Sequence, residues 1–135
     1  MARGIPDLII RGGTLLSMVE GESPVEDAAV HVREGRITSI LSGVDTAQRR
    51  SNHTQIIDAD GGIIMPGLVN AHTHAAMSLF RGFADDLPLK KWLSERIFPA
   101  EAEYLNPETV FWGALLAFVE MVASGTTCVS DGYFF

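Results

Sequence analysis

Apolar and polar positions alternate in short blocks over the first 62 residues. Leu8, Ile9 and Ile10 form an apolar run that stops at Gly12-Gly13, a turn signal, and residues 14–19 continue as a second extended piece. Glu20-Gly21-Glu22-Ser23-Pro24 reads as a polar loop. Apolar and β-branched residues at 29–32 and 36–41 flank Glu34-Gly35, the pattern of a hairpin with glycine in its turn. Residues 42–54 are polar and loop-like, and 55–59 form a further strand closed by Asp60-Gly61-Gly62. This rhythm predicts a small β-sandwich or partial barrel over residues 1–62.

The pattern changes at Ile63. Residues 63–74 are apolar almost to their end, as in a parallel strand covered on both faces. Leu89, Trp92, Leu93 and Ile97 then share one helical face, with Asp86 as a cap, Pro88 in the first turn and Pro99 as an interruption. Asn106-Pro107-Glu108 opens a second helix running to Ser124, with Gly125 just beyond it. Val110, Leu115, Val119 and Val122 lie near one face of it, and Leu116, Phe118 and Met121 widen that face. Residues 126–130 form a β-branched strand that reaches Asp131. Strand, helices and strand over 63–135 make one βαβ unit with a right-handed crossover. A parallel sheet of this kind needs more strands, and a (β/α)₈ barrel needs about 250 residues. The expected fold class is therefore α/β: the start of a (β/α)₈ barrel behind a small β-sandwich domain, in a chain that reads as the N-terminal piece of a longer protein.

Composition narrows the function classes. The chain has 135 residues, 47% apolar and 20% charged, which suits a globular domain and not a disordered one. Ten Lys and Arg stand against 17 Asp and Glu, a net charge of −7. The only basic clusters are the pairs Arg49-Arg50 and Lys90-Lys91, so no basic stripe marks a nucleic-acid partner. The apolar run at 113–123 contains Glu120 and falls short of the about 20 residues of a membrane span. No long apolar stretch precedes Asp7, and the single cysteine, Cys128, can form no internal disulfide. A cytoplasmic protein is expected.

His72 and His74 are the sharpest chemical signal. Side chains at i and i+2 of a strand project to one face about 7 Å apart, so two imidazoles can converge on one metal ion while Thr73 points away. They also end an apolar strand, where parallel α/β folds place their active sites. The other candidates are quieter. His31 is a surface or partly buried strand residue, His53 lies in a polar loop, and Cys128 is a small buried side chain. Asp131 either faces the pocket or makes a structural hydrogen bond. Arg81 either pairs with Asp85 or Asp86 or is solvated, and Trp92 is either a pocket wall or a core aromatic. No Gly-rich phosphate loop and no Gly-x-Ser-x-Gly elbow is present.

The stretch Met65-Pro66-Gly67-Leu68-Val69-Asn70-Ala71-His72-Thr73-His74 resembles the first barrel strand of the amidohydrolase superfamily. Met77-Ser78-Leu79-Phe80-Arg81-Gly82-Phe83-Ala84-Asp85-Asp86-Leu87-Pro88-Leu89, followed by Trp92-Leu93, is similar to the methylthioadenosine/S-adenosylhomocysteine deaminases and the related triazine chlorohydrolases. The resemblance is close over 63 to about 131 and looser over 7–62. It implies a (β/α)₈ barrel with a β-sandwich built from both chain ends, and one divalent metal, Zn²⁺ or in some members Fe²⁺. It implies His72 and His74 as the first two metal ligands and Glu101 as the carboxylate that binds the substrate's sugar hydroxyls. The further ligands and the acid/base residues belong to later strands, so no catalytic residue is expected within this stretch and the fragment alone would be inactive. The implied activity is hydrolysis of a non-peptide C–N bond: deamination of an adenosine-type nucleoside by a metal-activated water. A triazine-type chlorohydrolase, a guanine or cytosine deaminase, a dihydroorotase-type amidase and a non-catalytic truncated product stand as alternatives. The partner is a small molecule, a nucleoside or amino-substituted heterocycle, with neither nucleic acid nor membrane, and a homo-oligomer is compatible with the full-length form.

Overall fold

A computed structural model describes residues 5–43 and 51–134. The loop expected over 42–54 lies outside the described residues in its 44–50 part, as do the Arg49-Arg50 pair and Phe135. The chain forms two compact units, Met1–Pro66 and Gly67–Phe135.

In the first unit, β1 (Leu8–Leu15), β2 (Val25–Arg33), β3 (Arg36–Ser42), β4 (Gln55–Asp58) and β5 (Ile63–Ile64) make one five-stranded sheet. Its path is β3-β2-β1-β4, with β5 also on β1. The hairpin β2–β3 turns at Glu34-Gly35, both left-handed (φ 51° and 72°), as a tight two-residue turn requires. Gly12-Gly13 does not end the first strand as its sequence suggests. Strand β1 runs through it with register shifts on β2, and the chain returns there to the same edge. Gly12, at φ +74°, receives the Gly61 N–H on its carbonyl at 2.6 Å, and a Cβ on Gly13 would strike the Gly62 carbonyl. The two glycines therefore let β4 and β5 share one edge of β1. Leu15, Ala28, Val30 and Ile64 form the core cluster, with Ile10, Val25, Val32 and Ala59 packed on it.

Ile63–Ile64 thus belongs to the first sheet, and Met65-Pro66-Gly67 separates it from β6 (Leu68–Thr73). The expected single strand over 63–74 is two strands, since Pro66 cannot donate to a ladder. In the second unit β6 pairs in parallel with β7 (Thr126–Asp131), the βαβ arrangement expected from sequence. Gly67 is required where the two strands close up: a Cβ there would collide with the Thr127 side chain.

Between the strands lie a 3₁₀ helix (Ala75–Phe80), α1 (Leu89–Trp92), a π turn (Leu93–Ile97), α2 (Phe98–Tyr104) and α3 (Pro107–Ala123). Asp86 caps nothing: it sits in turns, and α1 opens at Leu89 behind Pro88 without a side-chain cap. Pro99 does not interrupt the helical segment. The Phe98 N–H already bonds five residues back, to Leu93, so the missing donor falls where the ladder is rearranged. Helix α3 begins as predicted. Asn106 accepts from the N–H groups of Glu108 and Thr109 at 3.0 Å, and Thr109 Oγ1 accepts the Asn106 N–H at 2.9 Å. Gly125 follows it at φ 89°.

The buried face of α3 is Gly113 and Ala117, and not the large apolar stripe. Small residues allow close approach to the 3₁₀ helix, where Ser78 Oγ donates to the Gly113 carbonyl at 2.8 Å. Leu115, Val119 and Val122 are exposed, together with Phe111, Trp112 and Phe118. Leu68, Val69 and Cys128 are likewise exposed, because the described parallel sheet has two strands. No helix among the described residues is long and apolar enough to cross a membrane.

Candidate metal centre

The site is built at the C-terminal ends of β6 and β7. Asn70 Oδ1 accepts the His72 N–H at 3.2 Å, and the β6–β7 register shifts between Asn70 and Thr73. Beyond the strand end, Asp131 Oδ1 accepts the Ala75 N–H at 3.3 Å and the Tyr133 N–H at 3.1 Å. The Gly132 N–H donates to the Thr73 carbonyl at 2.9 Å. These bonds tie the turn after His74 to the end of β7. Of the two roles open to Asp131, the structure shows the structural one.

The His72 and His74 rings stand edge-on, centroids 5.1 Å apart, with their Nε2 atoms 3.3 Å from each other. Nitrogens about 2.0–2.1 Å from a tetrahedral ion are about 3.3–3.4 Å apart, so the pair matches one edge of a zinc tetrahedron. His74 Nδ1 is buried and has no hydrogen-bond partner among the described residues. Among them, too, no group of three or more His, Cys, Asp or Glu is placed to hold an ion. The two imidazoles are therefore a fitting half-site.

Glu101 comes from α2. Ile97, Ala100 and Glu101 fall on one helical face and are all buried, Glu101 to 7% exposure. Its Oε1 accepts the Tyr133 hydroxyl at 2.7 Å. Burial first, and then the Glu101 carboxylate, push the Tyr133 hydroxyl well above its usual range, so it stays a donor. The Tyr133 ring lies edge-on to His74, centroids 6.0 Å apart. One cavity of about 480 Å³ has His72, His74, Glu101 and Tyr133 in its wall, with Trp92, Leu93 and Ile97 among its apolar lining. Trp92 is anchored by its indole N–H, which donates to the Phe83 carbonyl at 2.7 Å.

The structure thus brings the three expected site residues to one cavity. Tyr133 is not among the site residues expected from sequence. The signal that could have found it is its place two residues past the end of β7, the strand that pairs with β6 beside His74. Other residues lie elsewhere. His31 is buried at 3% exposure in β2, opposite Ile9, and His53 is exposed. Arg81 pairs with neither Asp85 nor Asp86. It makes a two-pronged bond to Glu120 at 3.1 and 2.6 Å, which lowers the Glu120 carboxyl's pKa.

The amidohydrolase family pattern matches residues 63–134. The chain is 47% identical to a 5-methylthioadenosine/S-adenosylhomocysteine deaminase of Desulforamulus reducens, over 93% of this chain and 29% of that protein. It is 48% identical to a 5'-deoxyadenosine deaminase of Methanosarcina mazei, over 96% of this chain and 28% of that one. An adenosine deaminase from Xanthomonas campestris, crystallised with bound zinc, superposes with a TM-score of 0.90 at 42% identity, covering 98% of this chain and 30% of that structure. The chain spans less than a third of the length of these relatives. The match over more than half of its residues, with the imidazole pair at the end of its parallel strand, makes the chain a member of the amidohydrolase family.

Proposed function

We propose that this chain is the N-terminal part of a metal-dependent aminohydrolase that deaminates an adenosine-type nucleoside. In this reading β6 and β7 are the first two strands of a (β/α)₈ barrel, and the first unit contributes to a β-sandwich. The bare apolar faces of β6 and α3 support it, since a helix apolar all round is one covered on several sides. The observation that carries the function is the shared cavity: a convergent imidazole pair and a buried carboxylate on one wall.

His72 and His74 would hold a divalent ion, Zn²⁺ by preference, through neutral Nε2 atoms. Bound there, such an ion supplies Lewis acidity and brings the pKa of a water toward neutrality. Glu101 receives hydroxyls of the sugar, since a carboxylate is an acceptor on both oxygens. Trp92, Leu93 and Ile97 give the heterocycle an apolar wall and keep bulk water from it. A lone cysteine suits a reducing cytoplasm.

The test uses the full-length protein. Ammonia release from adenosine, 5'-deoxyadenosine and methylthioadenosine, with one equivalent of zinc bound, is the expected result. His72→Ala and His74→Ala should each drop bound metal to trace by elemental analysis and abolish turnover. Full metal content in both variants would remove the pair from the metal site.

A further inference from the structure

The role of Glu101 leaves open what orients it. Its carboxylate is buried, yet no salt bridge reaches it among the described residues. Its hydrogen bond is a short one, from a neutral donor on a different element, 32 residues away in sequence. That choice of partner has consequences. A guanidinium would neutralise the carboxylate and occupy both oxygens. A tyrosine hydroxyl fills one of about four acceptor positions and leaves the charge in place. Three acceptor positions remain, enough for the two hydroxyls of a vicinal diol.

The tyrosine is itself well fixed. Its backbone N–H is held by Asp131, and its ring lies edge-on to His74. The plane of the Glu101 carboxylate is thereby set against the imidazole pair and not merely against its own helix. Distance between a diol and a reacting ring atom is fixed in a nucleoside, so this reference matters for chemistry as well as binding.

We propose that Tyr133 is a positioning residue that orients the Glu101 carboxylate toward a vicinal diol and so sets the preference for ribose over 2'-deoxyribose. The proposal rests on the assignment of Glu101 to the sugar made above, and goes beyond it in naming the group that controls it.

The experiment compares adenosine and 2'-deoxyadenosine as substrates of the metal-loaded full-length protein, its Tyr133→Phe and Glu101→Gln variants, and the double variant. Phenylalanine keeps the ring against His74 and removes only the donor. Tyr133→Phe should keep its metal and a cooperative fold and lower the adenosine preference in kcat/KM by about tenfold, the worth of a hydrogen bond to a charged group. Most of the change should be a higher KM for adenosine. Adding Tyr133→Phe to Glu101→Gln should change the preference no further, because the hydroxyl acts through the carboxylate. An unchanged preference in Tyr133→Phe, with Glu101→Gln still losing it, overturns the proposal and leaves the Glu101 assignment standing. No preference in the unaltered protein removes both. Loss of metal or fold in Tyr133→Phe assigns the tyrosine to support of His74 or to packing, and also overturns the proposal.

Discussion

A tyrosine hydroxyl buried against a carboxylate keeps its proton longer in the folded chain than in the unfolded one. The ordinary value is about 10. Below it both states are protonated, and the stability from the Tyr133–Glu101 contact is complete. Above it the unfolded chain ionises first, so this stability is lost as pH rises toward the higher folded value. Denaturant titrations between pH 8 and 11 should show a fall in stability above pH 10 that is shallower in Tyr133→Phe. Other residues show what local sequence could tell. His72 and His74 were legible because two positions apart at a strand's end is a geometric statement. Glu101 was legible only through family resemblance, since a helix carboxylate carries no local mark of burial. Tyr133, buried His31 and exposed Cys128 were set by which elements lie beside them, information absent from their neighbours in sequence.

At the level of elements, punctuation was read well where it was chemical. Asn106-Pro107 and Gly125 bound α3 because an unpaired N–H needs an acceptor and a helix end favours a left-handed residue. Asn106→Ala should lower stability by about 1 kcal/mol, measured by thermal melting, with the slope of denaturant unfolding unchanged. Punctuation misled where tertiary packing reused it. Gly12-Gly13 marks a bulge in a continuing strand, because a second strand returns to that edge. Pro99 follows a π turn instead of a break. That turn adds to the chain one residue beyond the α-helical count, and each helical residue rotates the face by about 100°. It therefore turns Ile97 and Glu101, four residues apart on one face, together relative to Leu89–Trp92.

For the whole molecule, the sequence changes rhythm at residue 63, and the two compact units of the structure are Met1–Pro66 and Gly67–Phe135. The coverage of the parallel strands was not realised among the described residues, because the parallel sheet they form has two strands. Metal binding should couple to stability on the same scale. In the full-length protein, chelation should lower the melting temperature, and each tenfold rise in free zinc above its dissociation constant should restore about 1.4 kcal/mol, read by calorimetry at several zinc concentrations. The site's parts also differ in how much chain must be made before they can meet. The imidazole pair spans three consecutive residues. The Ala75–Asp131 bond closes a separation of 56 residues, and the Glu101–Tyr133 bond one of 32. Loop closure costs entropy before a distant contact repays it. During synthesis, then, the imidazole pair is available as soon as β6 is, and the Glu101–Tyr133 end of the cavity is assembled only after β7 has docked.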